Sequence, residues 1–167
     1  LPVKNVELIY WKLDKEDDIQ KKLNFIASNL HPNGSLFIES ANALSYLIKF
    51  HEFIKTVPFN LQHLIISSNP STVGCRTEKL VPGFSYIAHF TPNKSCRLDK
   101  RMIGKIQGKE EGSCLWDVEE IKFELMIRMV DILPESPILE VSRKSDLELK
   151  ETCQRVGVLY KHLKDLV

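Results

Sequence analysis

The sequence has no Gly-x-x-x-x-Gly-Lys-Ser/Thr segment, so the phosphate cradle of P-loop nucleotide hydrolases has no candidate. Gly-x-Gly-x-x-Gly is missing as well, and with it the common dinucleotide turn. The serine nearest a hydrolase elbow, in Gly83-Phe84-Ser85-Tyr86, lacks the second glycine of that turn. There is no Cys-x-x-Cys pair: the cysteines stand alone at 75, 96, 114 and 153, too widely spaced for a zinc ribbon or knuckle. His31, His51, His63, His89 and His162 are scattered, none beside a second ligand at metal spacing, and read as helix-face or strand residues. No apolar run approaches the ~20 residues of a membrane span. Neither sign of charge dominates, with 23 basic against 22 acidic residues, so no overall field draws the chain to nucleic acid or membrane. Any such binding must come from a local patch. Together these absences make a poor enzyme sequence.

What is present is the composition of a folded domain. Apolar residues make up 43% and charged residues 27% of 167, which excludes disorder and fits one domain over 1–167. A chain of this length buries roughly 70% of its unfolded surface and needs no disulfide or metal staple. The cysteines are therefore expected to be reduced thiols, in cytoplasm or nucleus, with nucleus ahead.

Strand-like and helix-like segments alternate along the chain. Val6 to Tyr10 reads as a buried strand, followed by a helix with Ile19, Leu23, Ile26 and Leu30 on one face and the acidic turn Glu16-Asp17-Asp18 at its start. His31 to Gly34 ends that helix, and Ser35 to Glu39 is a second strand. A helix over 41–56 carries Leu44, Leu47, Ile48, His51 and Ile54, and Pro58 closes it. Strands follow at 61–67 and 84–90, separated by a loop over 68–83, and Met102 to Gln107 is a candidate strand within a polar stretch. A helix over 118–133, a strand at 138–141, a helix over 145–155 and a strand over 157–160 complete the pattern. Such alternation predicts a three-layer α/β fold with a mostly parallel sheet and an antiparallel strand among 61–90. The predicted core is Leu8, Ile9, Leu36, Phe37, Ile38, Leu64, Ile65, Ile66, Ile87, Leu139 and Val141.

The order of these pieces carries a resemblance. Leu30-His31-Pro32-Asn33-Gly34-Ser35-Leu36-Phe37-Ile38 resembles the Leu-x-Pro-Gly-Gly-x-Leu-Phe-Ile turn and strand of Rossmann-like methyltransferases. The Asn69-Pro70 loop, the strand Phe84 to Ala88, the helix segment Lys122-Phe123-Glu124-Leu125 and the strand Ile138-Leu139-Glu140-Val141-Ser142-Arg143 follow in a circularly permuted order. That order is similar to the one found in adenine-N6 methyltransferases, which write N6-methyladenine in RNA or DNA. The resemblance implies a permuted Rossmann-like methyltransferase fold. In that family the first strand ends in Asp-Pro-Pro-Trp or Asp-Pro-Pro-Tyr, which holds the target amino group and stacks on the flipped base. Here it ends Tyr10-Trp11-Lys12-Leu13-Asp14, without prolines and with the acid displaced. Glu140 and Arg143 read as remnants of an S-adenosylmethionine site, but Lys144-Ser145-Asp146 supplies no ribose-binding turn.

The resemblance with its motifs erased implies a non-catalytic subunit. It would stabilise an active methyltransferase paralogue, which binds the S-adenosylmethionine, and help hold DNA or RNA, DNA ahead of RNA, with no membrane role. No catalytic, cofactor-binding or metal-binding residue is therefore assigned. The nucleic-acid contacts are expected at Lys94, Arg97, Lys100, Arg101 and Lys105, and the partner contacts at Val73, Leu80, Val81 and Phe84. Plainer readings stand beside each: a solvated loop for the basic run, a core-edge plug for Trp11, a surface charge for Asp14. The rival functions are an active S-adenosylmethionine-dependent adenine methyltransferase with a divergent site, and an unrelated α/β interaction module.

Overall fold

The computed structural model describes residues 6–68, 83–96, 98–117, 121–130 and 136–164. Seven strands form one sheet: β1 (Val6–Lys12), β2 (Leu30–Glu39), β3 (Asn60–Ser68), β4 (Phe84–Thr91), β5 (Leu115–Trp116), β6 (Ile138–Glu140) and β7 (Tyr160–His162). Their order across the sheet is β5-β3-β4-β2-β1-β6-β7, and only β4 runs antiparallel to its neighbours. The helices are α1 (Ile19–Asn29), α2 (Leu44–Ile54), α3 (Lys100–Gln107), α4 (Lys122–Met129) and α5 (Leu147–Val156). One sheet face packs with α1 and α2 around Ile9, Leu36, Ile38 and Phe50, the other with α3, α4 and α5 around Leu8, Phe37, Ile65 and Met126. The expected three-layer Rossmann-like methyltransferase architecture, with its antiparallel strand, is what forms.

Three local expectations are corrected. Residues 102–107 belong to helix α3, not a strand. Asp99 caps it by accepting from the backbone N–H groups of Arg101 and Met102, and Gly108 ends it in the left-handed conformation at φ +73°. The following turn lies so close to Gly104 that a Cβ there would meet the Lys109 and Glu110 carbonyls at 2.8 and 2.9 Å. The last strand also starts later than expected. Gly157 caps α5 at φ +79°, so β7 begins only at Tyr160. Finally, the His31–Gly34 turn does not separate helix from strand. Leu30 already pairs with Val6, the register then jumps to Ser35 opposite Leu8, and the turn residues form an irregularity within β2.

The predicted core is buried except at two positions. Leu64 is half-buried and Ile66 is 38% exposed, because β3 lies next to the sheet's edge with only the two-residue β5 beyond it. On α2, Leu44 and Ile48 point to solvent while Leu47 and Phe50 are buried. Among the described residues, no helix is long and apolar enough to cross a membrane, and Cys114 and Cys153 are free thiols.

Candidate functional site

The chain leaves β1 toward β2 on one side and leaves β6 toward β7 on the other, so the direction of winding reverses between two adjacent parallel strands. In open α/β sheets that reversal opens a crevice outside the carboxyl ends of the strands, the preferred place for a ligand. Here it lies between Lys12 at the end of β1 and Ser142, just past β6.

The chain's own side chains fill this crevice. The Ser142 hydroxyl oxygen accepts from the Lys12 backbone N–H at 2.8 Å, and the Val141 N–H donates to the Tyr10 carbonyl at 3.0 Å. Lys22, one turn into α1, reaches across and donates to the Val141 carbonyl at 2.6 Å. Its ammonium also pairs with Asp17 at 2.7 Å, the two side chains only 8% and 3% exposed. Asp17 in turn accepts from the indole N–H of Trp11 and the backbone N–H of Asp14, both at 2.8 Å. The Lys22 ammonium sits 5.5 Å above the Trp11 ring, which is fully buried. Outside this plug, Arg143 pairs with Glu16, and a cavity of about 290 Å³ is lined by Glu16, Asp17, Asp18, Lys21, Lys22, Arg143 and Lys164. Every wall residue is charged.

Two buried carboxylates flank β1 on the face that α4 and α5 cover. Glu39, at the end of β2, accepts from the Tyr10 hydroxyl at 2.5 Å, the Ser85 hydroxyl at 2.7 Å and the Lys122 ammonium at 3.1 and 3.2 Å. Burial pushes its carboxyl up, but Lys122, Lys12 and the two hydroxyl donors outweigh that and hold it below the ordinary value. Tyr10 is raised, by its own burial and by Glu39. On the other flank, Glu140 accepts from the Asp146 N–H at 3.0 Å and the Tyr160 hydroxyl at 2.6 Å through one oxygen. Its second oxygen, like the Ser67 hydroxyl, has no hydrogen-bond partner among the described residues. Cys153 on α5 is pushed up to about 11 by burial and by Glu140.

A third polar group lies toward the opposite ends of the strands. The His63 and His89 imidazoles meet Nδ1 to Nδ1 at 3.0 Å across β3 and β4, and the far nitrogen of His89 bonds the Ser35 hydroxyl at 2.8 Å. Burial, then the neighbouring His63, pushes His89 down to about 3; burial and Lys100 lower His63. A histidine so depressed is neutral at neutral pH, so His89 meets its neighbours as an uncharged ring. No group of three or more metal-ligating residues occurs among the described residues.

The expected nucleic-acid residues are partly assembled. Lys100, Arg101 and Lys105 stand exposed on α3, with Arg101 and Lys105 one turn apart, rather than on a loop and a strand. Lys94 is exposed beyond β4, its backbone carbonyl accepting from Gln62. Lys100 lines a cavity with His63, near the start of β3 and far from the crevice at the ends of β1 and β6. Of the expected partner contacts, Phe84 is half-buried with its ring edge-on to Tyr86. Arg97, Val73, Leu80 and Val81 lie outside the described residues. The reasoning from sequence missed Lys22 and Glu39, and took Asp17 only as part of an acidic helix start and Lys122 only as part of the helix segment 122–125.

No family model matches the chain, and no curated protein matches it. Solved structures do. Over 97% of its length the chain is similar to the PvuII DNA methyltransferase, cytosine-N4-specific, at a TM-score of 0.65 and 11% identity, covering 76% of that chain. The complex of M1.HpyAVI with SAM is matched at 0.64 and 11% identity, over 98% of this chain and 84% of that one. A putative DNA modification methylase of Thermus thermophilus, TTHA0409, complexed with S-adenosyl-L-methionine, is matched at 0.61 and 12% identity, over 99% and 82%. At such identities the likeness is one of fold.

Proposed function

We propose that this chain is a non-catalytic, methyltransferase-like subunit of a heteromeric nucleic-acid adenine-N6 methyltransferase, acting beside an active paralogue in the nucleus. The observation that carries the reading is the end of β1. A methyltransferase acting on a base amino group needs an acceptor and carbonyls presented to the substrate there. In this chain Trp11 is fully buried and spends its N–H on Asp17, Lys12 spends its backbone N–H on Ser142, and Asp14 lies exposed, one of its oxygens accepting from the Glu16 backbone N–H.

S-adenosylmethionine, present in two of the similar structures, fits these residues poorly. Its zwitterionic methionyl part and its nucleoside need an open crevice between β6 and β1, and that space is already bridged: Asp17 holds Lys22 and Trp11, Lys22 reaches the Val141 carbonyl, and Ser142 takes the Lys12 N–H. The unpartnered oxygen of Glu140 is the observation that favours the rival reading of an active, divergent enzyme, since a ligand donor would satisfy it. It is fully buried, however, and lines none of the cavities named above.

We assign the partner face to the thinly covered end of the sheet, where Leu61 and Ile66 of β3 and Leu115 of β5 are exposed on the same side as Phe84. Nucleic acid is assigned to the α3 cations, with DNA ahead of RNA, as rim charges that capture phosphates without holding the complex together. The test is co-expression with candidate methyltransferases, followed by methyl transfer to DNA and RNA oligonucleotides with and without this chain. The expected result is activity that depends on the chain, survives Asp14→Ala, and loses roughly tenfold in oligonucleotide affinity when Lys100, Arg101 and Lys105 are all changed to Glu. A loss of several orders of magnitude with Asp14→Ala, in an intact complex, overturns the reading.

A further inference from the structure

We infer that the β1–α1 segment is a permanent internal occupant of the ligand crevice, with the Lys22 ammonium standing where a bound cofactor would otherwise join the two halves of the sheet. The inference deepens the reading above and rests on it for the identity of the displaced ligand. It adds to the end of β1 the Lys22 ammonium of α1, which reaches the Val141 carbonyl past β6 and pairs with Asp17.

At a winding reversal the strand-end carbonyls and N–H groups on both sides of the junction lose sheet partners and face the crevice. Two of them are matched here by the chain's own side chains. The Val141 carbonyl takes the Lys22 ammonium, and the Lys12 N–H takes the Ser142 hydroxyl oxygen. The cation needed to fill the space is balanced by Asp17, whose other oxygen is saturated by Trp11 and Asp14. Asp17 is itself held by the turn that caps α1, where Asp18 accepts from the Lys21 N–H at 3.1 Å. A ligand entering the crevice must therefore break a buried ion pair and expose an indole, a cost that a site evolved to open does not carry. A loop poised to open keeps its charged contacts near water, as Arg143 and Glu16 do at the rim, with side chains 48% and 58% exposed.

The test uses the full chain and two probes, S-adenosylmethionine and S-adenosylhomocysteine. Thermal unfolding of the wild type with a large excess of either is expected to show no shift in midpoint, and a rise of several degrees overturns the inference. Lys22→Met, which keeps the length and removes the charge, is expected to lower the midpoint by roughly 10 °C and to speed amide exchange over residues 13–18 and 140–144. An unchanged midpoint and unchanged exchange in that variant overturn it as well. Lys21→Met, one residue away and exposed, is the control and should shift neither. The two readings fail separately. Cofactor binding by the wild type without any turnover removes the internal occupant but leaves the silent subunit, whereas a complex indifferent to this chain removes the silent subunit but leaves the lock.

Discussion

Glu39 and Glu140 end the two strands that flank β1, on the same face of the sheet, and both are fully buried. Glu39 is surrounded by donors: two hydroxyls and an ammonium divide its two oxygens between them. Glu140 has donors on one oxygen only, and its other stands without one. The difference teaches what each side of β1 is for. The β2 side is a closed joint that ties α4 to the sheet through Lys122. The β6 side keeps a carboxylate whose burial is only half compensated among the described residues.

Exchanging the charge on each side sharpens the comparison. Glu39→Gln should be the most damaging substitution, because it leaves the Lys122 ammonium buried against a neutral amide. A loss of about 3–5 kcal/mol in urea unfolding is expected. Adding Lys122→Met to that variant should recover most of the loss, because no unpaired charge then remains. If the double variant is no more stable than Glu39→Gln alone, the joint is not the ion pair described.

Acid should weaken the β2 side together with the histidine pair. The folded-state values of His89 and His63 lie below the ordinary histidine value, so the unfolded chain binds more protons once pH drops beneath it. Their contribution is complete above about 6.5 and is lost as pH falls toward about 3, the value for His89. Glu39, also lowered, adds a second loss in the range below the ordinary carboxylate value. Unfolding midpoints from pH 8 to 4 are therefore expected to decline, and His89→Gln should flatten the first part of the decline. A flat profile in the wild type contradicts the pairing.

Glu140→Gln should be nearly silent, within about 1 kcal/mol of the wild type and with stabilisation the favoured sign. The amide keeps the oxygen that accepts from Asp146 and Tyr160 and removes a charge that is costly to bury. A loss as large as that of Glu39→Gln would show that the second oxygen has a partner in solution. Smallest of all is Ile48→Ser on the exposed side of α2, expected within about 0.5 kcal/mol by the same unfolding measurement.

Much of the fold was legible from local pattern. Near-continuous apolar runs at Leu8–Tyr10, Leu36–Ile38 and Ile138–Val141, the last interrupted at Glu140, marked strands buried on both faces, and these are the adjacent strands β1, β2 and β6. The α3 helix had local signals too, Asp99 before it and Gly108 after it, which the strand reading of 102–107 did not use. Ile66 was misplaced because an apolar strand residue looks the same in sequence at the sheet's centre and near its edge.

By itself, then, the sequence determined the layers, the central strands and the absence of the usual reactive motif at the end of β1, since each of these depends on residues close together in the chain. Only the tertiary structure decided where the charges went. Lys122 meets Glu39 across 83 positions and Lys22 meets the Val141 carbonyl across 119. Nothing local distinguishes those lysines from Lys21 or Lys150 on a helix surface. Whether a charged side chain is solvated or buried depends on which strand ends the winding of the sheet brings beneath it, and that is a property of topology rather than of neighbouring residues.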